Sequence, residues 1–370
     1  MASLDDVIEE AASHPVEVSV DHPLSYLFLD QEVDVLEDDT QFGRLQDDPT
    51  WRFDQNVILK EQQHLGAPTF PKLTLDHTPV SPELNTIIGD RYHDLPKYLT
   101  TQRDIKSQLL RQITDETVVV LLVADGLGYA DLEEWDIDLS YEPCFVNGPT
   151  ITPIGYRNVI YGYDNDPLVN QLTKRGFVRL RGYSYWDKES YNDLNDAVFT
   201  NFPEINRVRT SQQIISHLKE KPPGDSRTFI QISRQVLDPF AHSGKELQPS
   251  DIEHELAKLV EDLESLCSVL EDQVESYLVV VTADHGILWR KDFEPNMRKV
   301  STRGKSKMRY APRRIGVDEG AQLIDVEGST YTVFEYPYVA DDFDADQGGV
   351  HGGLSYQESI VPLVTKGTHV

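Results

Sequence analysis

The stretch YLVVVTADHGILW, Tyr277 to Trp289, runs apolar for several positions and then sets Asp284 beside His285. Carboxylate and imidazole both bind divalent cations well. Placed at the end of an apolar run, they stand where a buried strand emerges. Three other stretches repeat the theme. VVVLLVADGLGY ends an apolar run on Asp125, and RQVLDPFAHSG supplies Asp238 and, four residues on, His242. DQGGVHGGLSYQES holds His351 between glycine pairs that let the backbone bend sharply. Three aspartates and three histidines suffice for two cations, Zn²⁺ or Mn²⁺, with open positions for substrate. Two metals ~3.5–4 Å apart can stabilise both the attacking and the leaving oxygen of a phosphoryl displacement.

Such a site needs a nucleophile, and NGPTITPIGYRNVIYG offers one. Thr152 precedes Pro153, which suits the first turn of a helix, so its hydroxyl and backbone N–H would sit at a helix N-terminus that favours an anionic phosphate. A metal contact would lower the hydroxyl pKa and activate an otherwise weak nucleophile. Asn147, five residues earlier, could orient a phosphate oxygen; as an isolated loop amide it needs no such role. Each signal alone is weak, because Asp-Gly after a strand is ordinarily a turn and a histidine near a strand end is ordinarily just hydrogen-bonded. Their joint order and placement carry the reading.

The elements that must position these residues can be read from periodicity. Residues 1–115 are acidic and proline-rich with weak periodicity, which predicts a small or irregular N-terminal region with a flexible start. Residues 116–370 alternate apolar runs with amphipathic segments. VVVLLVADG, GFVRLRGYSYW, TFIQISRQV and YLVVVTADHG read as strands, and TPIGYRNVIYG and TSQQIISHLKE as helices. A long helix follows from PSDIEHELAKL, with Ser250 and Glu253 at capping-box spacing and Ile252, Leu256, Leu259, Leu263, Leu266 and Leu270 forming one apolar stripe. Near-continuous apolar strands alternating with helices predict an α/β fold: a mostly parallel central sheet with helices on both faces. Ligands of such sheets bind beyond the carboxyl ends of the strands. Asp125 and Asp284 stand at two of those ends.

Composition narrows the partners. The 370-residue chain has 63 acidic and 34 basic residues, a net charge of -29. So acidic a protein repels nucleic acid and anionic membrane at long range, and binding a polyanion would need a local basic patch or bound cations. Self-repulsion falls in concentrated salt, where the Debye length is ~3 Å at 1 M, so the balance points to a halophilic protein. Two cysteines without CxxC spacing fit a reducing, cytoplasmic setting. The N-terminus lacks a leader-like basic and apolar pattern, and no segment approaches ~18 uninterrupted apolar residues; no membrane partner is expected.

The order Asp125, Thr152, Asp238 with His242, Asp284 with His285, then His351 resembles the alkaline phosphatase superfamily. More narrowly, GPTITPIGYRNVIYG, TADHG and HGGLSYQESIVPLV resemble the PglZ domain family, known from phage-exclusion systems, over roughly Val118 to Val364. The resemblance implies an alkaline-phosphatase-like α/β core with two metals and a phosphothreonine at Thr152 that water hydrolyses. It assigns Asp125, Asp284 and His285 to the metal that activates Thr152. Asp238, His242 and His351 go to the metal that activates the hydrolytic water. The sulfatase motif Cys-x-Pro-x-Arg does not occur.

One stretch bears on substrate. WRKDFEPNMRKVSTRGKSKMRYAPRRIG concentrates ten of the 34 basic residues. It reads either as a solvated, salt-bridging loop or as a polyanion track in which Arg298, Arg303, Lys305, Arg309, Arg313 and Arg314 hold phosphates and Tyr310 stacks on a base. The second reading favours a nucleotide or oligonucleotide phosphodiester. The expected function is therefore a metal-dependent phosphodiesterase or phosphatase. The rivals are a phosphomutase or phosphonoacetate-type hydrolase of the same superfamily, and a non-catalytic nucleotide- or partner-binding module of a defence or signalling system.

Overall fold

The structure, a computed structural model, describes residues 4–13, 16–20, 23–25, 28, 34–36, 57–60, 72–75, 81–134, 139–186, 192–224, 226–243, 248–342, 344 and 347–368. The expected flexible start, Met1 to Ser3, lies outside them. The chain divides into two compact units, Met1–Tyr98 and Leu99–Val370.

In the first unit, helix α1 (Leu4–Ala11) precedes four short strands: β1 (Val16–Val20), β2 (Asp34–Leu36), β3 (Val57–Lys60) and β4 (Lys72–Leu75). They pair in parallel in the order β2-β3-β1-β4. Val7 and Ala11, one helical turn apart, pack on Val16 and Val18, which share one strand face. Helix α2 (Ser81–Asp90) follows. Strands this short offer few periods to read in the sequence.

The second unit is a mixed α/β fold around an eight-stranded, mostly parallel sheet. Its strands are β5 (Thr100–Thr101), β6 (Val118–Asp125), β7 (Glu142–Phe145), β8 (Arg179–Ser184), β9 (Ile205–Arg207), β10 (Thr228–Gln235), β11 (Tyr277–Ala283) and, after an insert, β21 (Ile360–Gly367). The order is β5-β7-β21-β11-β6-β10-β8-β9, with β21 antiparallel to both its neighbours. β6 and β11 are buried at every position. Because successive side chains point to opposite faces, both faces of the sheet must be covered.

The cover comes from helices α3 (Gln102–Gln112), α4 (Tyr129–Glu134), α5 (Thr152–Tyr161), α6 (Leu168–Lys174), α7 (Asn192–Val198), α8 (Ser211–Glu220), α9 (Asp238–Ala241) and α10 (Pro249–Gln273). All six residues of the predicted α10 stripe are buried in the main core. The predicted cap is corrected. Gln248, not Ser250, caps α10 and pairs with Asp251, because Pro249 takes the first helical position and puts Ser250 inside the helix.

Between β11 and β21 the insert builds short strands β12 (Leu288–Trp289), β13 (Arg298–Lys299), β14 (Thr302–Arg303), β15 (Tyr310–Ala311), β16 (Gly316–Val317), β17 (Ala321–Val326), β18 (Ser329–Phe334), β19 (Tyr338–Val339) and β20 (Gly349–Val350). Short helix α11 (Arg290–Phe293) lies within it, and α12 (Tyr356–Ser359) leads into β21. Among the described residues, no helix is long and apolar enough to cross a membrane.

Candidate metal centre

Parallel register brings the acids together. β11 pairs with β6 so that Ala283 lies opposite Ala124, and the next residues are Asp284 and Asp125. β10 flanks β6 on its other side with Gln235 opposite Asp125, and Asp238 follows three residues later at the start of α9. Gly126, at φ +78°, turns the chain after Asp125. A Cβ there would lie 2.6 Å from the Asp238 backbone nitrogen, so only glycine lets the two loops meet this closely.

Two triples result, in each of which the ligand atoms lie within 4.8 Å of one another: Asp125, Asp284 and His285, and Asp238, His285 and His351. His285 belongs to both. Its ring stacks on that of His351, 4.0 Å between centroids and 12° between planes. His242, 49% exposed, stands at the rim with Nε2 3.3 Å from Asp238 Oδ1 and 3.4 Å from His351 Nε2. All six expected residues are therefore gathered at one end of the sheet.

The donor set fits cations. Asp125 Oδ1, Asp238 Oδ1 and Asp284 Oδ2 are buried without a hydrogen-bond partner. The first and third lie 3.9 and 3.5 Å from His285 Nε2, and the second lies 3.5 Å from His351 Nε2. The other ring nitrogens face backbone carbonyls: His285 Nδ1 is 3.1 Å from Gly286 O, and His351 Nδ1 is 3.0 Å from Thr150 O. A carbonyl only accepts, so each Nδ1 carries the proton and each Nε2 turns a lone pair toward carboxylate oxygens. Buried lone pairs facing one another call for a positive charge between them.

The two stacked imidazoles do not supply that charge by taking up a proton. Burial lowers the pKa of His285 and, with the neighbouring His285, holds His351 at about 4. The acids are split. Burial, then the charges of Asp284 and Asp238, push Asp125 well above the usual carboxylate range. Burial lifts Asp284 to about 7 although the Gly126 amide pulls the other way. Burial also works to raise Asp238, but the His242 ring, with Nε2 3.3 Å from Asp238 Oδ1, and the neighbouring imidazoles outweigh it and hold it at about 2. The same proximity raises His242 in turn.

Thr152 opens α5 as predicted, behind the N-cap Ile151 and ahead of Pro153. Its Oγ1 is 3.1 Å from His285 Nε2, the nitrogen shared by both triples. A Cβ on Gly155 would overlap the Asp284 carbonyl, so α5 packs backbone to backbone on the Asp284 loop. Asn147 is half-buried; its carbonyl accepts from Asn158 Nδ2 at 2.7 Å, and its Oδ1 has no hydrogen-bond partner.

Several supporting residues escaped sequence reasoning. Gln102 Nε2 donates to the carbonyls of Ala283 at 2.7 Å and Asp284 at 2.8 Å, while its Oε1 accepts from Asn158 of α5. Thr150 Oγ1 donates to Gly353 O at 3.0 Å and accepts from Gly352 N at 2.8 Å, which fixes the turn after His351. Trp186 Nε1 donates to Asp125 Oδ2 at 2.9 Å. Glu358 accepts from Gly353 N and Ser355 Oγ. Only the last carried a signal, the Ser-x-x-Glu spacing of a capping box.

The basic stretch divides. Arg298 and Arg303 are exposed on β13 and β14. Arg309, expected to hold a phosphate, is instead fully buried. Its guanidinium pairs with Glu358 at 2.7 and 3.3 Å and donates to the carbonyls of Glu335 and Tyr338. The low-polarity setting demands that pairing and leaves no donor face for substrate. Tyr310 is half-buried with its ring against Gly352.

A sheet of this kind, with acids and imidazoles gathered at its carboxyl end, defines an α/β protein with a candidate dinuclear centre. Residues 225–366 match the family model of the BREX system PglZ alkaline phosphatase-like domain, which covers less than half of the chain. The segment contains Asp238, His242, Asp284, His285 and His351; Asp125 and Thr152 precede it. Among solved structures the chain is similar to murine ectonucleotide pyrophosphatase/phosphodiesterase 5, at 14% identity over 66% of this chain and 87% of that one, TM-score 0.39. It is also similar to phosphonoacetate hydrolase from Sinorhizobium meliloti, at 11% identity over 66% and 89%, TM-score 0.44. A third is the C-terminal periplasmic domain of phosphoethanolamine transferase EptC from Campylobacter jejuni, at 10% identity over 69% and 80%, TM-score 0.41. No curated protein matches the chain.

Proposed function

We propose that the chain is a phosphoric ester hydrolase dependent on two divalent metal ions, a phosphodiesterase or phosphatase acting through a phosphothreonine at Thr152. Asp125, Asp284 and His285 would hold one ion and Asp238, His242 and His351 the other. Zn²⁺ suits the mixed carboxylate and imidazole set, and Mn²⁺ is the alternative. The observation that carries the reading is the 3.1 Å approach of Thr152 Oγ1 to His285 Nε2, beside three buried carboxylate oxygens that lack hydrogen-bond partners.

When bound, the ions supply positive charge that lowers the hydroxyl pKa and offsets charge on the phosphoryl oxygens. The protein's own groups do the positioning. The first-turn amides of α5 point toward an incoming phosphate, and Asn147 would orient one of its oxygens. Thr152 Oγ gives its proton to solvent and forms a bond to phosphorus as the bond to the leaving oxygen breaks, and that oxygen takes up a proton from solvent. Water then attacks the phosphothreonine, releasing the phosphate and restoring the hydroxyl. The Thr150 carbonyl and the Gly286 carbonyl keep both stacked imidazoles turned with Nε2 inward.

Thr152→Ala is expected to reduce turnover of bis-p-nitrophenyl phosphate by ~10³-fold or more, with two metal equivalents per chain retained by mass spectrometry. Undiminished turnover in that variant, with zinc or manganese supplied, would refute the covalent route. If the unaltered protein binds two metals but hydrolyses no ester, the non-catalytic binding module is the right reading.

A further inference from the structure

We infer that the hairpin of β14 and β16, residues Thr302–Val317, is a docking surface for single-stranded nucleic acid, which deepens the hydrolase reading by naming its substrate class. From Pro295 to Val317 the chain has eight basic residues and no acidic one, in a protein with 63 acidic residues among 370. Arg303, Lys305, Lys307, Arg313 and Arg314 are all exposed. Among the described residues none of these five has a carboxylate within ion-pair distance. Some exposed or half-exposed cations elsewhere, among them Lys174, Arg157, Arg290 and Lys299, find one at 2.5–2.9 Å, and the isolated Lys219 and Lys221 do not; the hairpin differs in gathering five such cations in one short stretch. With carboxylates outnumbering cations nearly two to one, five adjacent unpaired cations call for an external anion.

The support is ordered and continuous with the site. Thr332 Oγ1 on β18 donates to Arg313 O and accepts from Ile315 N, both at 3.0 Å. At the other side of the hairpin, the Arg309 guanidinium lies against Gly353 and the Tyr310 ring against Gly352, the two residues after His351. The five cations are thus carried on a platform seated on the segment that bears a candidate metal ligand.

The ligand's chemistry follows from charge and access. Arginine forks match phosphate oxygens two at a time, and a phosphodiester strand offers one charge per nucleotide. The acidic remainder of the chain acts only within the Debye length, ~8 Å at physiological salt, so close approach at the hairpin can outweigh it. Asp125, Asp284 and His285 are buried, so the scissile phosphate has to enter a recess. A flexible strand can bend from hairpin to recess; a duplex, with a persistence length of ~50 nm, cannot.

The test uses full-length Thr152→Ala protein with zinc, a fluorescein-labelled oligothymidylate of about 20 nucleotides, and anisotropy titrations at several KCl concentrations. Combined Arg303→Glu, Lys305→Glu, Arg313→Glu and Arg314→Glu is expected to weaken binding at least tenfold. The slope of log affinity against log salt should become shallower by ~0.7 for each phosphate no longer neutralised. A companion set with glutamine at the same positions should give the same direction, with melting temperature unchanged in both. Equal affinity of altered and unaltered hairpins overturns the inference, as does equally tight binding of a blunt duplex or of phosphatidylserine vesicles. Strand binding that survives while no ester is hydrolysed leaves the docking surface standing and removes the hydrolase.

Discussion

A buried carboxylate oxygen with nothing donating to it is costly, and this protein concentrates three of them at one end of a sheet. Asp125, Asp284 and His285 stood out as candidate ligands because an acid or imidazole there terminates an apolar run, whereas Asp238, His242 and His351 stood out only by residue type and by their order along the chain. Gln102, Thr150 and Trp186 did not stand out, because common residue types carry no motif. Gln102 meets its carbonyl partners 181 and 182 positions away, and Thr150 meets Gly353 203 positions away. Arg309 shows the converse failure, since composition cannot tell a cation offered to solvent from one paired with a buried Glu358. The shifted acids set a pH dependence. Asp284, raised from 3.8 to about 7, contributes stability that is complete below about pH 4 and lost as pH rises through 7; Asp125 shifts in the same direction. Asp238, at about 2, has the opposite sign: its contribution holds above 3.8 and is lost toward pH 2. A bound cation replaces the missing protons at neutral pH. EDTA should therefore lower the melting temperature by more at pH 8 than at pH 5, as read by thermal denaturation; equal shifts would mean the carboxylates are not the ligands.

At the scale of elements, long periodic segments were the readable ones. The α10 stripe lies in the core as its spacing predicts, and the strands that lead to Asp125 and Asp284 are neighbours in register. The insert from Leu288 to Val350 was opaque, since many of its strands are only two residues long and exist through partners far along the chain, as β13 does through β19. No hydrophobic period can build up in two residues. The α10 cap moved for a local reason, the preference of proline for the first helical position. Leu263, buried on α10 within the core, gives the element's test. Leu263→Ala should destabilise the fold by ~2–5 kcal/mol in chemical denaturation and leave metal stoichiometry unchanged, because the helix supports the sheet and not the strand ends. Loss of metal at native pH in a folded variant would show the two to be linked.

At the scale of the whole molecule, the net charge of -29 works against compactness. Raising KCl from about 0.1 to 2 M, which cuts the Debye length from ~10 Å to below ~3 Å, should raise the melting temperature. Most of the gain should arrive in the first several hundred millimolar if screening is the cause. A flat response would remove the halophilic expectation. The sheet's construction has a separate consequence for how the protein comes into being. β21 is the last of the eight strands to leave the ribosome, yet it lies between β11 and β7. Until Ile360–Gly367 arrives, β11 carries an open edge and β5 with β7 has nothing to join, an interval in which nascent chains can template one another. The imidazole of His351 emerges only nine residues ahead of that strand. Closing the sheet and delivering the final candidate ligand are therefore nearly one event, and a truncated product would be a sticky fragment with an unfinished site.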